Sequence, residues 1–171
     1  MNQTHKLYAM AVVFATIAIL IGCTKKPGVD VTAEENKSLL QRYFEEMNKG
    51  NESYLDEYFA ADYIYHGPGG ELDVEDFKAM HSMFLSAFPD AIASVEDIIA
   101  VGDKVATRWK ISGTHRGELQ GIAPTGKEVT ITGIIITRVE GGKVVEEWEA
   151  FNQLSLMQQL GAIPLPQNTN Q

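Results

Sequence analysis

A chain of 171 residues, 44% hydrophobic and 22% charged, has the composition of one folded domain. It is neither disordered nor fibrous, and it can bury a core without disulfides or a structural metal. The formal net charge of −9 repels phosphate backbones and argues against a nucleic-acid partner, because such binding depends on basic patches. The single cysteine, Cys23, excludes an intrachain disulfide.

Lys6 is the one formal side-chain cation before an apolar run over 7–21, broken only by Thr16. That run is shorter than the roughly 20 residues a membrane span needs, and a basic start before a short apolar segment is the signal-peptide pattern. The run ends in Leu20-Ile21-Gly22-Cys23, which resembles the bacterial lipobox. The resemblance implies a signal peptide over 1–22, cleavage before Cys23, and lipidation of Cys23 with palmitate-class chains. Two acyl chains hold a protein stably on a membrane. The competing reading is an uncleaved anchor. Cleavage removes Lys6 and leaves 13 basic against 23 acidic residues, a net charge of −10. Residues 23–31 read as the lipidated cysteine and a tether, punctuated by Pro27 and Gly28. The expectation is an exported, lipid-anchored protein of the cell envelope.

One domain is expected over 32–161. Thr32 and Glu35 have capping-box spacing, and Leu39, Leu40, Tyr43, Phe44 and Met47 recur at helical period up to a stop at Gly50. A short helix over 52–59 and an extended segment over 62–66 follow, then a loop at Gly67-Pro68-Gly69-Gly70. Asp73 caps a third helix with Phe77, Met80, Phe84 and Phe88 on one face, ended by Pro89. From 92 the period changes to that of strands, over 92–101, 104–112, 127–139 and 143–151. Gly102-Asp103 and Gly141-Gly142 are tight hairpin turns. A short helix over 154–160 closes the domain, and 162–171 reads as a flexible tail. Helices followed by antiparallel strands predict an α+β fold: a cone-shaped curved antiparallel sheet wrapped around the N-terminal helices, with one internal pocket.

Strict alternation along 143–151 places Val144, Glu146, Trp148, Ala150 and Asn152 on one face, taken as the pocket side. Glu146 then competes with a solvated edge position, and Trp148 with plain core. In the 104–112 strand Trp109 shares a side with Val105, Thr107 and Ile111. Arg108 lies on the other side, as a carbonyl ligand or a surface ion pair. His66, at the glycine-rich turn, and His115, within Gly113-Thr114-His115-Arg116-Gly117, titrate near neutrality and suit acid–base work. The alternative for each is a structural histidine. His81 reads as packing. Gly121 to Lys127 mimics part of a P-loop, but Glu128 replaces the magnesium-binding hydroxyl and a strand follows where a helix is needed. The scattered histidines lack metal-ligand spacing and predict no metal site.

His66 to Gly70, Phe88-Pro89-Asp90, Gly102 to Ala106, Gly113 to Gly117, Pro124 to Lys127, Gly142 to Trp148 and Gln158-Gln159-Leu160-Gly161 occur in an order that resembles the SnoaL-like polyketide or ester cyclases, of the nuclear-transport-factor-2-like superfamily, over about 35–161. The resemblance implies a cone-shaped fold, intramolecular aldol chemistry without metal or cofactor, and a homodimer through the outer sheet face. It also implies an acid–base aspartate soon after the last-strand tryptophan, a position matched here by Asn152, whose amide cannot exchange a proton but can donate to an enolate oxygen.

Two functions follow. One is cofactor-free cyclisation, isomerisation or hydrolysis of a small carbonyl compound, with His66, His115 or Glu146 moving the proton, Asn152 and Arg108 polarising the carbonyl, and Trp109 and Trp148 lining the site. The other is non-catalytic capture of a small apolar ligand at the envelope.

Overall fold

The computed structural model describes residues 31–50 and 52–164. The signal peptide, Cys23, most of the tether and the end of the expected tail lie outside the described residues. Helix α1 spans Val31–Met47, so Thr32 lies within it rather than ahead of it. A 3-10 turn (Glu52–Tyr54) leads into α2 (Leu55–Tyr58) and β1 (Phe59–Gly67). Then come β2 (Gly70–Asp73), α3 (Val74–Ala87), β3 (Ile92–Val101), β4 (Lys104–Thr114), β5 (Glu128–Glu140), β6 (Lys143–Phe151) and α4 (Gln153–Leu160).

The fold is α+β. Its six strands form one curved, unclosed sheet in the order β2-β1-β6-β5-β4-β3. Every pair is antiparallel except β1 with β6, which run parallel, so the sheet is mixed rather than wholly antiparallel. A parallel pair needs a long crossover connection rather than a hairpin, and the chain from β1 to β6 supplies one. Strand β2, which the sequence pattern does not predict, starts at the last glycine of the expected loop over 67–70. Gly70, at φ +116°, reverses the chain so that Gly70–Asp73 pairs back on β1; a run of glycines hides this in the sequence, because they carry no period.

Local chemistry sets the helix ends. Asp73 Oδ1 accepts from the backbone N–H of Glu75 and Asp76 at 3.0 and 2.9 Å, capping α3 as expected. Phe88, ahead of Pro89, leaves the helical region (φ −128°, ψ 72°). Gly50, at φ +69°, ends the turn after α1. Helix α1 is pinned to the sheet by Asn48: its Nδ2 donates to Ala93 O at 2.8 Å and its Oδ1 accepts from Ala93 N at 2.7 Å.

The core lies between the concave sheet and α1 and α3. Tyr43 sits edge-on to Phe44, Tyr54, Tyr58 and Phe59 with centroids 5.3–5.8 Å apart. Each such pair adds about 0.5–1.5 kcal/mol beyond area burial and stiffens this wall. The Gly113 to Gly117 motif is scaffold. A Cβ on Gly117 would lie 2.2 Å from Ser86 O, and Arg116 N and Gly117 N both donate to Ala87 O, docking this loop on the end of α3.

Candidate active site

A β-bulge decides which side chains face the interior. Arg138 pairs with Glu146, yet the next residue, Val139, pairs with Val144, which leaves Val145 as the extra residue. A bulge of this kind reverses the alternation of the strand. Val144 points into the core, and beyond the bulge Glu147, Glu149 and Phe151 point inward instead of Glu146, Trp148 and Ala150. The pocket face expected from strict alternation is therefore the outer face.

The interior holds a cavity of about 150 Å³. Tyr43, Phe44 and Met47 of α1 and Phe77, Met80 and Phe84 of α3 roof it; Ile111, Ile131 and Ile135 of the sheet floor it. Its polar groups are few: Glu147 and Glu149 from β6, Tyr65 from β1, Trp109 from β4 and His81 from α3. The sparse polar set in an apolar wall is the usual composition of a small-molecule site.

The two carboxyls are held differently. Glu147, 2% exposed, accepts from Tyr63 Oη at 2.6 Å and from Thr137 Oγ1 at 2.8 Å, one donor per oxygen. Burial pushes its carboxyl up to about 7, against the lowering effect of the Tyr63 and Thr137 hydroxyls, and the Glu149 charge adds to the rise. Glu149 accepts from Tyr65 Oη at 2.5 Å on Oε2. Burial raises it too, opposed by Tyr65 and the Trp109 indole N–H. That N–H is buried beside Glu149 and makes no hydrogen bond of good geometry. Across the cavity His81 Nε2 lies 2.9 Å from Tyr54 Oη, and burial lowers its pKa, favouring the neutral ring. Among the described residues no group of three or more His, Cys, Asp or Glu side chains is placed to hold a metal ion.

Of the residues picked from sequence, only Trp109 lines the cavity. The structure brings His66, Glu146 and Trp148 together, but outside. His66 stacks on Trp148 with centroids 5.5 Å apart and rings 8° from parallel, and its Nε2 lies 3.0 Å from Glu146 Oε1. Arg138 Nη2 lies 3.0 Å from the other Glu146 oxygen. His66 and Arg138 together hold Glu146 below the usual carboxylate range, which suits a permanent anion better than a proton carrier. Arg108 is a surface ion-pair partner of Glu96 and, at 3.6 Å, of Asp97. His115 is fully buried but away from the cavity. Thr125 N donates to its Nδ1 at 3.2 Å, which puts the ring proton on Nε2, and the ring packs on Phe88. Asn152 is exposed and caps α4, accepting from Ser155 N at 2.9 Å.

Sequence reasoning missed Tyr63, Tyr65, His81, Glu147 and Glu149. One signal pointed to them. Val144 and Phe151 are both apolar but an odd number of residues apart, so both can face inward only if a bulge intervenes.

The match to a family model, SnoaL-like polyketide cyclase, spans residues 37–160, and the chain belongs to that family. Solved structures agree. AclR from Streptomyces galilaeus, described as a "putative hydroxylase", is 30% identical with a TM-score of 0.74, covering 80% of this chain and 87% of its own. IdmH from Streptomyces antibioticus, described as a "putative polyketide cyclase", is 32% identical with a TM-score of 0.66, covering 74% and 98%. TsrD from Streptomyces laurentii is 26% identical with a TM-score of 0.68, covering 76% and 97%. No curated protein sequence matches the chain.

Proposed function

We propose that the protein is a cofactor-free acid–base enzyme that enolises a small, largely apolar carbonyl compound, in an aldol-type cyclisation or an isomerisation. The observation that carries this reading is Glu149, a buried carboxyl with one oxygen held by Tyr65, beside the Trp109 indole N–H in an apolar cavity. Glu149 takes the proton next to the carbonyl, and the Trp109 N–H donates to the enolate oxygen as charge develops there. In an aldol closure the enolate carbon bonds to a second carbonyl carbon, and the resulting alkoxide recovers the proton from the Glu149 carboxylic acid. Tyr65 keeps the carboxyl in place, and Glu147 behind it keeps the floor acidic. His66, His115, Glu146 and Asn152 are not needed for this chemistry.

Exchange of the α-protons of 1-tetralone in D2O, followed by NMR, tests the reading without the natural substrate. Wild type is expected to accelerate exchange, and Glu149→Gln to slow it by about 10²–10⁴-fold, the usual range for a positioned base. Equal rates for both would overturn it. Binding without exchange would favour the second reading, capture of an apolar ligand, which the apolar cavity wall supports.

We also propose that the protein is exported and anchored at the envelope through lipidated Cys23, as its leader supports. Radiolabelled palmitate is expected to enter wild type but not Cys23→Ser, and the variant to leave the membrane fraction.

A further inference from the structure

We propose that His81 is a second catalytic group, whose imidazole N–H binds the carbonyl oxygen that the enolate carbon attacks, so that the cavity favours aldol closure over isomerisation. This rests on the enolisation reading above, which gives the first carbonyl to Glu149 and Trp109 and leaves His81 without a part. His81 is buried in the middle of α3 and lines the cavity across from β6, the strand of Glu149. Two contacts fix its ring. Tyr54 Oη lies 2.9 Å from Nε2, and Phe77 stacks on the imidazole with centroids 6.2 Å apart. Phe77 also packs on Tyr65 at 5.3 Å, and Tyr65 holds Glu149. One aromatic side chain thus touches both polar ends of the cavity.

The hydrogen-bond chain behind His81 decides where its proton sits. Burial raises both Tyr43 and Tyr54; the hydrogen bond between them raises Tyr43 further and lowers Tyr54, the pattern of Tyr43 donating. The Tyr54 hydroxyl then donates to Nε2, and the neutral ring carries its proton on Nδ1. Burial keeps the ring neutral against the charge of Glu52. Tyr54 stands outside the cavity lining, so it holds the outer edge of the ring and leaves the Nδ1–H edge for a ligand. In the closure Glu149 takes the proton next to the first carbonyl, the enolate carbon bonds to the second carbonyl carbon, and that C=O electron pair moves onto its oxygen. The Nδ1–H donates a hydrogen bond to this oxygen as charge develops and keeps its proton; the Glu149 carboxylic acid protonates the alkoxide. A neutral imidazole polarises a carbonyl in this way without placing a cation opposite Glu149 that would weaken it as a base. An isomerisation has one carbonyl oxygen to bind, and Trp109 serves it.

One probe reads both steps. The diketone 2,5-hexanedione is little larger than the benzene ring that a cavity of about 150 Å³ takes. In D2O it exchanges its α-protons through the enolate and closes by an aldol reaction to 3-hydroxy-3-methylcyclopentanone. NMR follows both on the full chain in nanodiscs, with empty nanodiscs as reference. Wild type is expected to accelerate both. His81→Phe is expected to lower the ratio of closure to exchange by about 10²-fold, the usual loss for one donor to a developing oxyanion. Tyr54→Phe removes the positioning hydroxyl and is expected to lower that ratio by about tenfold. A loosened cavity would slow exchange and closure together, so the ratio separates a role in closure from a role in packing. Where His81→Phe lowers the melting temperature, Tyr54→Phe carries the test. An unchanged ratio, or wild-type exchange without closure, would overturn the role of His81 alone. No exchange by wild type would overturn the enolisation reading, and this inference with it.

Discussion

Glu147 carries a charge only at a cost, and the sign of that cost is open to measurement. Its folded pKa of about 7 lies above the ordinary glutamate value. Between roughly pH 4.5 and 7 the folded state therefore holds a proton that the unfolded state has lost, and stability falls as pH rises through that window. Glu147→Gln mimics the protonated acid and removes this loss. The variant is expected to have a flatter stability profile from pH 4.5 to 7, and to gain on wild type by up to about 3 kcal/mol above pH 7. Chemical denaturation at pH 5 and pH 8 checks it; an unchanged gap between the two would sink the assignment. Glu146, one residue earlier, behaves in the opposite sense. Half-buried on the outer face between His66 and Arg138, it is a committed anion.

Strand β5 owes its fit against Trp109 to a missing side chain. A Cβ on Gly133 would lie 2.4 Å from the indole ring and 2.9 Å from Ala150 O. Gly133→Ala must push the ring or the strand, at a cost of about 1–3 kcal/mol, and is expected to move the indole N–H and weaken ligand binding. Thermal melts and Trp fluorescence report both. At the far end of β6 the cap on α4 makes a second element-scale prediction. Asn152→Asp keeps the capping oxygen and is expected to leave stability and activity unchanged, because residue 152 points out of the cavity. A rise in proton-exchange rate in that variant would show that residue 152 reaches the substrate.

Across the whole outer face, paired residues form one row: Ile99, Ala106, Ile136, Trp148 and His66, running from β3 to β1. Lys104 Nζ stands 5.2 Å over the Trp148 ring. Ile99 is 65% and Ile136 41% exposed, and contiguous apolar surface of this kind marks interaction sites. The row supports the proposal of a homodimer through this face. Sedimentation velocity is expected to give a dimer for wild type and a monomer for Ile136→Lys, with no change in melting temperature of the isolated fold; a wild-type monomer would remove the expectation.

Much of this fold was legible in the chain. The strands over 92–101 and 143–151 and the Asp73 cap stand where period and turn chemistry put them, because alternation, glycine pairs and capping spacing are local properties. The candidate site was far less so. A strand's facing depends on counting from a fixed start, and one extra residue at Val145 reverses every assignment after it. Strict alternation therefore puts Glu146 and Trp148 on the pocket face and leaves Glu147 and Glu149 on the other. Tyr63 and Tyr65 read as ordinary strand residues until pairing put them beside those acids.

What the sequence by itself determined is the element order, the α+β class and the family resemblance, since each rests on short-range pattern and motif order. The tertiary structure alone decided which acids are buried and which histidine lines the cavity. Those depend on a parallel pairing between strands far apart in the chain and on a bulge that only the neighbouring strand reveals.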